Sequence, residues 1–176
     1  KALAIGANEA IRVNANPTDG FAVAKELAEV VKAGNYDVVI CGKESLDYNG
    51  GMVPGMLASL LGYNFVNSCV GVEIDGANAT LVREIDGGKE TLTTNLPLVI
   101  GGQKGIVEEK DLRIPNMRGI MTARTKALNV MEPVAADAKT KAVKFEKPAP
   151  KSAVKLISAD NLDELINLLH NEAKVI

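Results

Sequence analysis

The chain has 176 residues, of which 47% are hydrophobic and 24% charged, a composition that suits one medium-sized domain with a packed core and excludes wholesale disorder. With 20 basic and 22 acidic side chains, three Tyr, three Phe and no Trp, it lacks the basic excess and the aromatic platforms that nucleic-acid binding needs. The single histidine, His170, argues against histidine-based catalysis and a histidine-rich metal site. We therefore predict no catalytic side chain and no metal.

The cysteines and the start of the chain bear on where the protein works. No apolar run is long enough for a membrane span or a signal sequence. Two cysteines, Cys41 and Cys69, are too few for a disulfide framework, which favours a reducing cytoplasm. Residues 1–7 have no initiator Met and are typical of a helix that ends in a turn. We expect the chain to be a fragment of a longer protein.

The first third of the chain alternates short apolar runs with helical patterns, which is typical of βαβ units and a parallel sheet. Thr18 or Asp19 can cap the first helix. The apolar residues that recur on one face of that helix are Val23, Leu27, Val30 and Val31. The predicted elements are a strand over 9–13, a helix over 20–33, a short buried strand over 36–41, a glycine-rich loop over 42–51 and a helix over 52–61.

The middle of the chain changes character, because two turn signals separate short apolar runs. Asp75-Gly76 and Asp86-Gly87-Gly88 are both typical of hairpins. The sequence therefore predicts an antiparallel ribbon that is added to the parallel sheet. The predicted strands cover 66–74, 79–85 and 90–94, and a further apolar run covers 96–100.

The chain becomes polar and irregular after Gly102. A loop is predicted over 113–119 and a short helix over 120–128. Residues 132–153 hold three prolines and form no compact element, which indicates an extended arm, and 161–173 form an amphipathic helix. An arm and a helix with one apolar stripe have little to pack on within their own domain, so we expect them to contact a partner subunit.

The loop over 42–51 is the best candidate for a binding site, because it follows a strand and precedes a helix. Open α/β sheets bind ligands at that strand-end crevice. Gly50 and Gly51 let backbone N–H groups approach an anion where the helix dipole is positive. Lys43 can neutralise a phosphate.

The loop does not match a specific fingerprint. It is neither the GxGxxG pattern nor the GxxxxGK[ST] loop, so an ordinary connection between a strand and a helix is an equal alternative to a nucleotide site. If a nucleotide binds, Ser45 and Asp47 can hydrogen-bond its ribose or adenine. Because the chain is poor in acids and bases suited to catalysis, any chemistry would belong to a bound cofactor.

Three motifs resemble those of a known family. The stretch Val82–Ile100, VREIDGGKETLTTNLPLVI, resembles the signature of the β subunit of electron transfer flavoproteins. Leu81 and Gly101 depart mildly from that pattern, which has a smaller or β-branched apolar residue at the first position and a small residue such as Thr or Ala at the second. Residues 113–126 and 37–54 are similar to two further hallmarks, so the resemblance covers essentially the whole chain.

The resemblance implies a Rossmann-like parallel sheet of the adenine nucleotide alpha hydrolase-like type, with an antiparallel ribbon and a C-terminal arm. Residues 1–131 would form the nucleotide-binding α/β domain without its N-terminal part, including a recognition loop over 113–126. Residues 132–176 would form the arm and helix that contact the alpha subunit. The bound adenine nucleotide would be AMP in one branch of the family, or a second FAD reduced by NADH in the electron-bifurcating branch. The closing stretch 168–176 is more similar to the bifurcating branch.

The resemblance also implies site residues. The loop Arg113–Gly119 resembles the recognition loop that docks an acyl-CoA or another dehydrogenase, with Met117 at the apolar anchor position and Arg113 and Arg118 as steering charges. The positions implied for the nucleotide are Cys41, Gly42, Lys43, Ser45, Asp47, Asn49, Gly50, Gly51, Met52 and Val53.

The implied function is electron transfer between a dehydrogenase and an acceptor, together with the alpha subunit that carries the shuttling FAD. The chain would be an electron carrier, and part of an NADH-oxidising enzyme only if the complex is of the bifurcating type. Two alternatives stay open. One is a non-redox adenine-nucleotide-binding protein like a universal stress protein, and the other is a purely structural partner subunit.

Overall fold

The structure is a computed structural model that describes residues 1–47, 49–151 and 153–176. The chain divides into two compact units, Lys1–Lys141 and Ala142–Ile176. The elements of the first unit are a 3-10 turn at Ala2–Ile5, β1 at Ala10–Val13, α1 at Gly20–Gly34, β2 at Val38–Gly42, α2 at Val53–Leu61, β3 at Asn64–Asp75, β4 at Asn78–Ile85, β5 at Gly88–Asn95, β6 at Leu98–Gly102, a 3-10 turn at Glu109–Asp111, α3 at Met117–Ala123 and β7 at Leu128–Met131.

The main sheet has five strands in the order β2-β6-β3-β4-β5. The strands β2, β6 and β3 are parallel, whereas β3, β4 and β5 form an antiparallel ribbon. Its core contains Val66, Leu81, Leu98 and Ile100, all at most 5% exposed. The predicted α/β class, with an antiparallel ribbon joined to a parallel sheet, is confirmed.

The stretch Val82–Ile100 contains the hairpin between β4 and β5, which explains several of its residues. Gly87 has φ = 89° in the two-residue turn between β4 and β5, a conformation that glycine adopts without strain. Arg83 and Glu90 face each other across the two strands, with Nε 2.6 Å from Oε2. The motif therefore closes the ribbon and leads the chain back into β6, which lies between β2 and β3.

The strand predicted over 36–41 is present as β2, but the prediction that it is buried is wrong. It runs from Val38 to Gly42 and pairs only with β6 in the described part of the chain, so it forms an edge of the sheet. Ile40 is 67% exposed. The apolar run was correctly read as a strand, but burial depends on what covers the sheet, which the run itself does not encode.

Helix α1 begins as predicted, because Oδ1 of Asp19 accepts a hydrogen bond from the Ala22 amide at 2.8 Å. Its predicted apolar face is partly wrong, since Leu27 is 36% exposed. The small residues Ala24 and Ala28 are buried instead, against Leu57 of α2. Small side chains allow the two helices to approach closely, and this decides which face of α1 is buried.

The region 113–131 also differs from the prediction of a loop followed by a helix over 120–128. Helix α3 begins earlier, at Met117, because Oδ1 of Asn116 accepts from the Gly119 amide at 2.7 Å. The residues from Leu128 to Met131 form β7, which pairs in parallel with β1 as a separate two-stranded sheet. A four-residue strand is defined by its partner more than by its own sequence.

The second unit carries α4 at Leu162–Asn167, which continues as a π-helical turn at Leu168–Glu172. Asn161 caps it through a 3.4 Å bond from the Glu164 amide, in agreement with the predicted helix over 161–173. Leu162 and Ile166 are 60% and 56% exposed. Among the described residues of the whole chain, no helix is both long enough and apolar enough to cross a membrane.

Candidate functional site

The carboxyl ends of three parallel strands meet at one edge of the main sheet. Cys41 of β2 lies in register with Gly101 of β6, and Cys69 of β3 with Gly102. The ladder extends beyond the strands, because the Lys43 amide donates to the Gly102 oxygen at 2.9 Å. This edge is the place where open α/β sheets bind ligands.

The loop that leaves β2 at this edge closes on itself. The Ser45 amide donates to the Gly50 oxygen at 2.9 Å, and Asn49 adopts a left-handed conformation with φ = 50°. Ser45, Asp47 and Asn49 are exposed, while Lys43 is half-buried. The structure thus brings the predicted loop residues together on an accessible turn, apart from Tyr48, which lies outside the described residues.

The two glycines of the loop differ in what surrounds them. A Cβ built on Gly50 would meet none of the described residues within 4 Å, and one on Gly51 would lie 3.4 Å from the Lys43 oxygen. Neither residue has a positive φ. The described part of the chain therefore does not itself require glycine at position 50.

Helix α2 starts at this edge without a side-chain cap. Met52 at its N-cap accepts no hydrogen bond from the first turn through its side chain, and Pro54 in the first turn has no N–H. The uncapped amides and the helix dipole make this end electropositive. Met52 instead packs on α1, since a Cβ on Gly20 would lie 2.8 Å from its Cγ.

Asn67 is a polar residue at this edge that the sequence reasoning missed. The register of β3 against β6 shifts between Val66 and Cys69, and Ser68 has φ = 55°. The Asn67 side chain lies over Gly101, where an added Cβ would overlap its Oδ1. Oδ1 is buried without a hydrogen-bond partner among the described residues. The available signal was an Asn-Ser pair inside an apolar strand.

The two cysteines are free thiols. Burial raises the pKa of the Cys41 thiol, so it stays protonated at neutral pH and is a poor nucleophile. The Cys69 thiol donates to the Gly71 oxygen at 3.1 Å. Cys69 is buried and Cys41 is half-buried, so neither thiol is a reactive group at the strand ends.

The residues predicted to bind a partner lie away from the loop, around α3. Met117 is 74% exposed. Arg113 and Arg118 line a cavity of about 430 Å³ between α3 and the first 3-10 turn, and neither has an ion-pair partner within the described residues. The structure therefore exposes an apolar side chain at the start of α3 and places two cations beside a cavity that Met117 itself does not line.

This surface is fastened to the start of the chain. The Lys126 ammonium donates to the carbonyl oxygens of Leu3 at 2.9 Å and Ala7 at 2.6 Å. Gly119 lets α3 approach the Ala4 oxygen so closely that a Cβ would overlap it. These contacts hold α3 against the first 3-10 turn, and residues of both elements line the cavity.

The mixed sheet and its covering helices place the chain in the α/β class. A model of the electron transfer flavoprotein domain matches residues 1–136. The chain is 38% identical over 153 residues to the electron transfer flavoprotein subunit beta of Syntrophomonas wolfei, covering 86% of this chain and 60% of that protein. The chain belongs to the electron transfer flavoprotein beta subunit family, which confirms the resemblance seen in its motifs.

Two further relatives carry the same subunit name. The protein of Bacillus subtilis is 31% identical over 189 residues, covering 99% of this chain and 72% of that protein. The human protein is 30% identical over 171 residues, covering 92% of this chain and 66% of that protein. The chain thus spans less than two thirds of the Syntrophomonas and human relatives.

Proposed function

We propose that this chain is the nucleotide-binding portion of an electron transfer flavoprotein beta subunit, which passes electrons between a dehydrogenase and an acceptor together with an alpha subunit. The observation that carries the proposal is the family match over residues 1–136. The scarcity of catalytic acids and bases agrees with it, because a bound flavin supplies the electron-accepting chemistry. The free thiols of Cys41 and Cys69 support a reducing compartment such as the cytoplasm.

The proposed nucleotide site is the loop between β2 and α2. Lys43 and the uncapped start of α2 would attract phosphate, and the open space at Gly50 would admit it to the backbone. The exposed groups of Ser45, Asp47 and Asn49 are free to bind ribose or adenine. The full proposed set is Cys41, Gly42, Lys43, Ser45, Asp47, Asn49, Gly50, Gly51, Met52 and Val53.

We add Asn67 to this set, because its Oδ1 is an acceptor without a partner among the described residues. Leaving a buried acceptor unpaired costs about 1–3 kcal/mol. A hydroxyl or amino group of a nucleotide bound at the strand ends would remove that cost. The residues at the edge thus fit an adenine nucleotide through both its phosphate and its hydrogen-bond donors.

Both FAD and AMP carry the adenine, ribose and phosphate that such a site would recognise. AMP would be structural, whereas a second FAD, reduced by NADH, would make the complex electron-bifurcating. We favour FAD, because the closing stretch 168–176 is more similar to that branch.

The surface of Arg113, Met117 and Arg118 is proposed to dock the dehydrogenase, an acyl-CoA dehydrogenase or another. An exposed Met is an adaptable apolar docking residue, and the guanidinium groups of the two arginines, which form no ion pair with a described residue, would steer an acidic partner. The arm and α4, with the exposed Leu162 and Ile166, are proposed to contact the alpha subunit.

The test is to purify this chain with its alpha subunit, denature the complex and quantify FAD and AMP by chromatography. Two FAD per complex would support bifurcation, and one FAD with one AMP would support a simple electron shuttle. A complex with no adenine nucleotide bound to this chain would overturn the site and favour a purely structural subunit. Binding of ATP by the chain alone, without an alpha subunit, would favour a sensor like a universal stress protein, which the family match argues against.

A further inference from the structure

Two carboxylates of α1 face the segment that follows β7. Asp19 and Glu26 are seven residues apart, which is about two helical turns and places them on one side of the helix. The segment Glu132–Thr140, here called the strap, has no helix or strand. Each carboxylate accepts backbone N–H groups from the strap.

Glu26 is the more buried of the two. It is 7% exposed, and its oxygens accept from the Val134 amide at 2.9 Å and the Ala136 amide at 3.3 Å. Between these two residues, Ala135 has φ = 55°. A left-handed residue between two others turns their N–H groups toward one point and forms an anion-binding nest. The strap therefore supplies the donors that a buried carboxylate needs.

Asp19 holds the far end of the strap. Its Oδ2 accepts from the Lys139 amide at 2.5 Å and the Thr140 amide at 2.8 Å, while its Oδ1 caps α1. The Lys139 ammonium lies 5.2 Å from the centre of the Phe21 ring, which adds a cation–π contact. Two separate attachments thus fix the strap at positions about two helical turns apart.

We propose that Asp19 and Glu26 form an anchor that fixes the strap, which is the first part of the arm, on α1 and thereby favours binding of the partner subunit. Lys141, the last residue of the first unit, directly follows the strap, so the anchored segment lies at the end of that unit. The two residues act through the strap and are positioning residues. The part of the proposal that concerns the partner rests on the proposed function, whereas the anchor itself does not.

The anchor is tested by hydrogen exchange on the complex of this chain with its alpha subunit. We expect Glu26→Ala to accelerate amide exchange in peptides covering 133–137 by roughly tenfold or more. Without the carboxylate, the free energy needed to open the strap locally becomes smaller. Glu26→Gln, of the same size, keeps one acceptor oxygen and should give a smaller effect, and it serves if the Ala variant does not fold. The control is Glu29→Gln on the same helix, whose partner is the exposed Lys32.

Unchanged exchange of the strap in both Glu26 variants, with the sheet still protected, would overturn the anchor. The positioning role is tested by the affinity for the alpha subunit, which we expect to fall in Asp19→Asn and Glu26→Gln, and severalfold in Glu26→Ala, in proportion to the fraction of molecules whose strap is detached. Faster exchange with unchanged affinity would overturn the positioning role. Nucleotide content measured on the same samples reports separately on the proposed function.

Discussion

The amide oxygen of Asn67 lies in the space that a side chain on Gly101 would take. The two residues come from the neighbouring parallel strands β3 and β6 and meet at the carboxyl edge of the sheet. Because Gly101 has no side chain, the Asn67 amide can occupy that space. The Asn67 Oδ1 has no hydrogen-bond partner among the described residues. One pair therefore combines a packing requirement with an unmet hydrogen bond.

Gly101→Ala is expected to destabilise the chain by about 1–3 kcal/mol, because the new methyl group overlaps the Asn67 amide. Urea unfolding measures this change. Adding Asn67→Ala should recover part of the loss, since the overlapping atoms are then gone. Gly88→Ala is the control, because a Cβ there meets nothing within 4 Å. Equal losses in the single and the double variant would contradict the pairing.

Gly50→Val is expected to lower nucleotide content at least tenfold while leaving the melting temperature of the nucleotide-free chain unchanged. Among the described residues nothing lies within 4 Å of a Cβ added at Gly50, so we expect the added side chain to obstruct the ligand more than the fold. Gly88→Val, also in open space, is the matched control for the effect of valine itself. Full nucleotide content in Gly50→Val, measured by chromatography after denaturation, would place the nucleotide elsewhere.

Met117→Ala is expected to slow electron transfer from the dehydrogenase severalfold, because truncation removes an exposed apolar anchor. Nucleotide content should not change, since Met117 lies on α3 and not on the loop after β2. Stopped-flow flavin reduction measures the rate. Ile74→Ala, which truncates an exposed side chain of the ribbon, controls for general loss of apolar surface. The proposed docking role of Met117 is contradicted if both variants transfer electrons at the original rate.

Lys126→Met is expected to lower the free energy of unfolding by about 2 kcal/mol, because two hydrogen bonds from a charged donor are lost. Those bonds join Leu3 and Ala7 to a residue more than a hundred positions away. Lys110→Met is the control, since its ion pair with Glu108 is exposed and contributes little. Thermal unfolding compares the two, and a loss no larger than that of the control would contradict the role of Lys126.

Asp19 is expected to make the stability of the chain depend on acid. The amide of Ala22, followed by those of Thr140 and Lys139, holds the pKa of Asp19 below its ordinary value, against an opposing effect of desolvation. A depressed pKa means that the carboxylate stabilises the fold above the unfolded pKa of about 3.9. That contribution is lost as the pH falls through the folded pKa. Asp19→Asn should flatten the acid limb of a stability profile, and an unchanged limb would contradict this.

The sequence predicted local features better than burial. The helix cap at Asp19 and the hairpin turn at Gly87 depend on residues close in the chain, so the local sequence was enough to predict both. The exposure of Ile40 and the pairing of β7 with β1 depend on distant elements. For the same reason the sequence indicated the loop after β2 as a site, whereas the Asn-Ser pair in β3 was too weak a signal to single out Asn67 without its contact to Gly101.

The sequence by itself determined the α/β class, the ribbon and the family, because periodicity, turn residues and motif spacing are local properties of the chain. Only the tertiary structure decided which residues meet across it. The strap on Glu26, the Lys126 bonds to Leu3 and Ala7, and the fit of Asn67 to Gly101 all join residues distant in sequence. Such contacts arise only when distant chain segments pack together. In the sequence alone, Glu26, Lys126 and Asn67 carry no sign of the residues that they will contact.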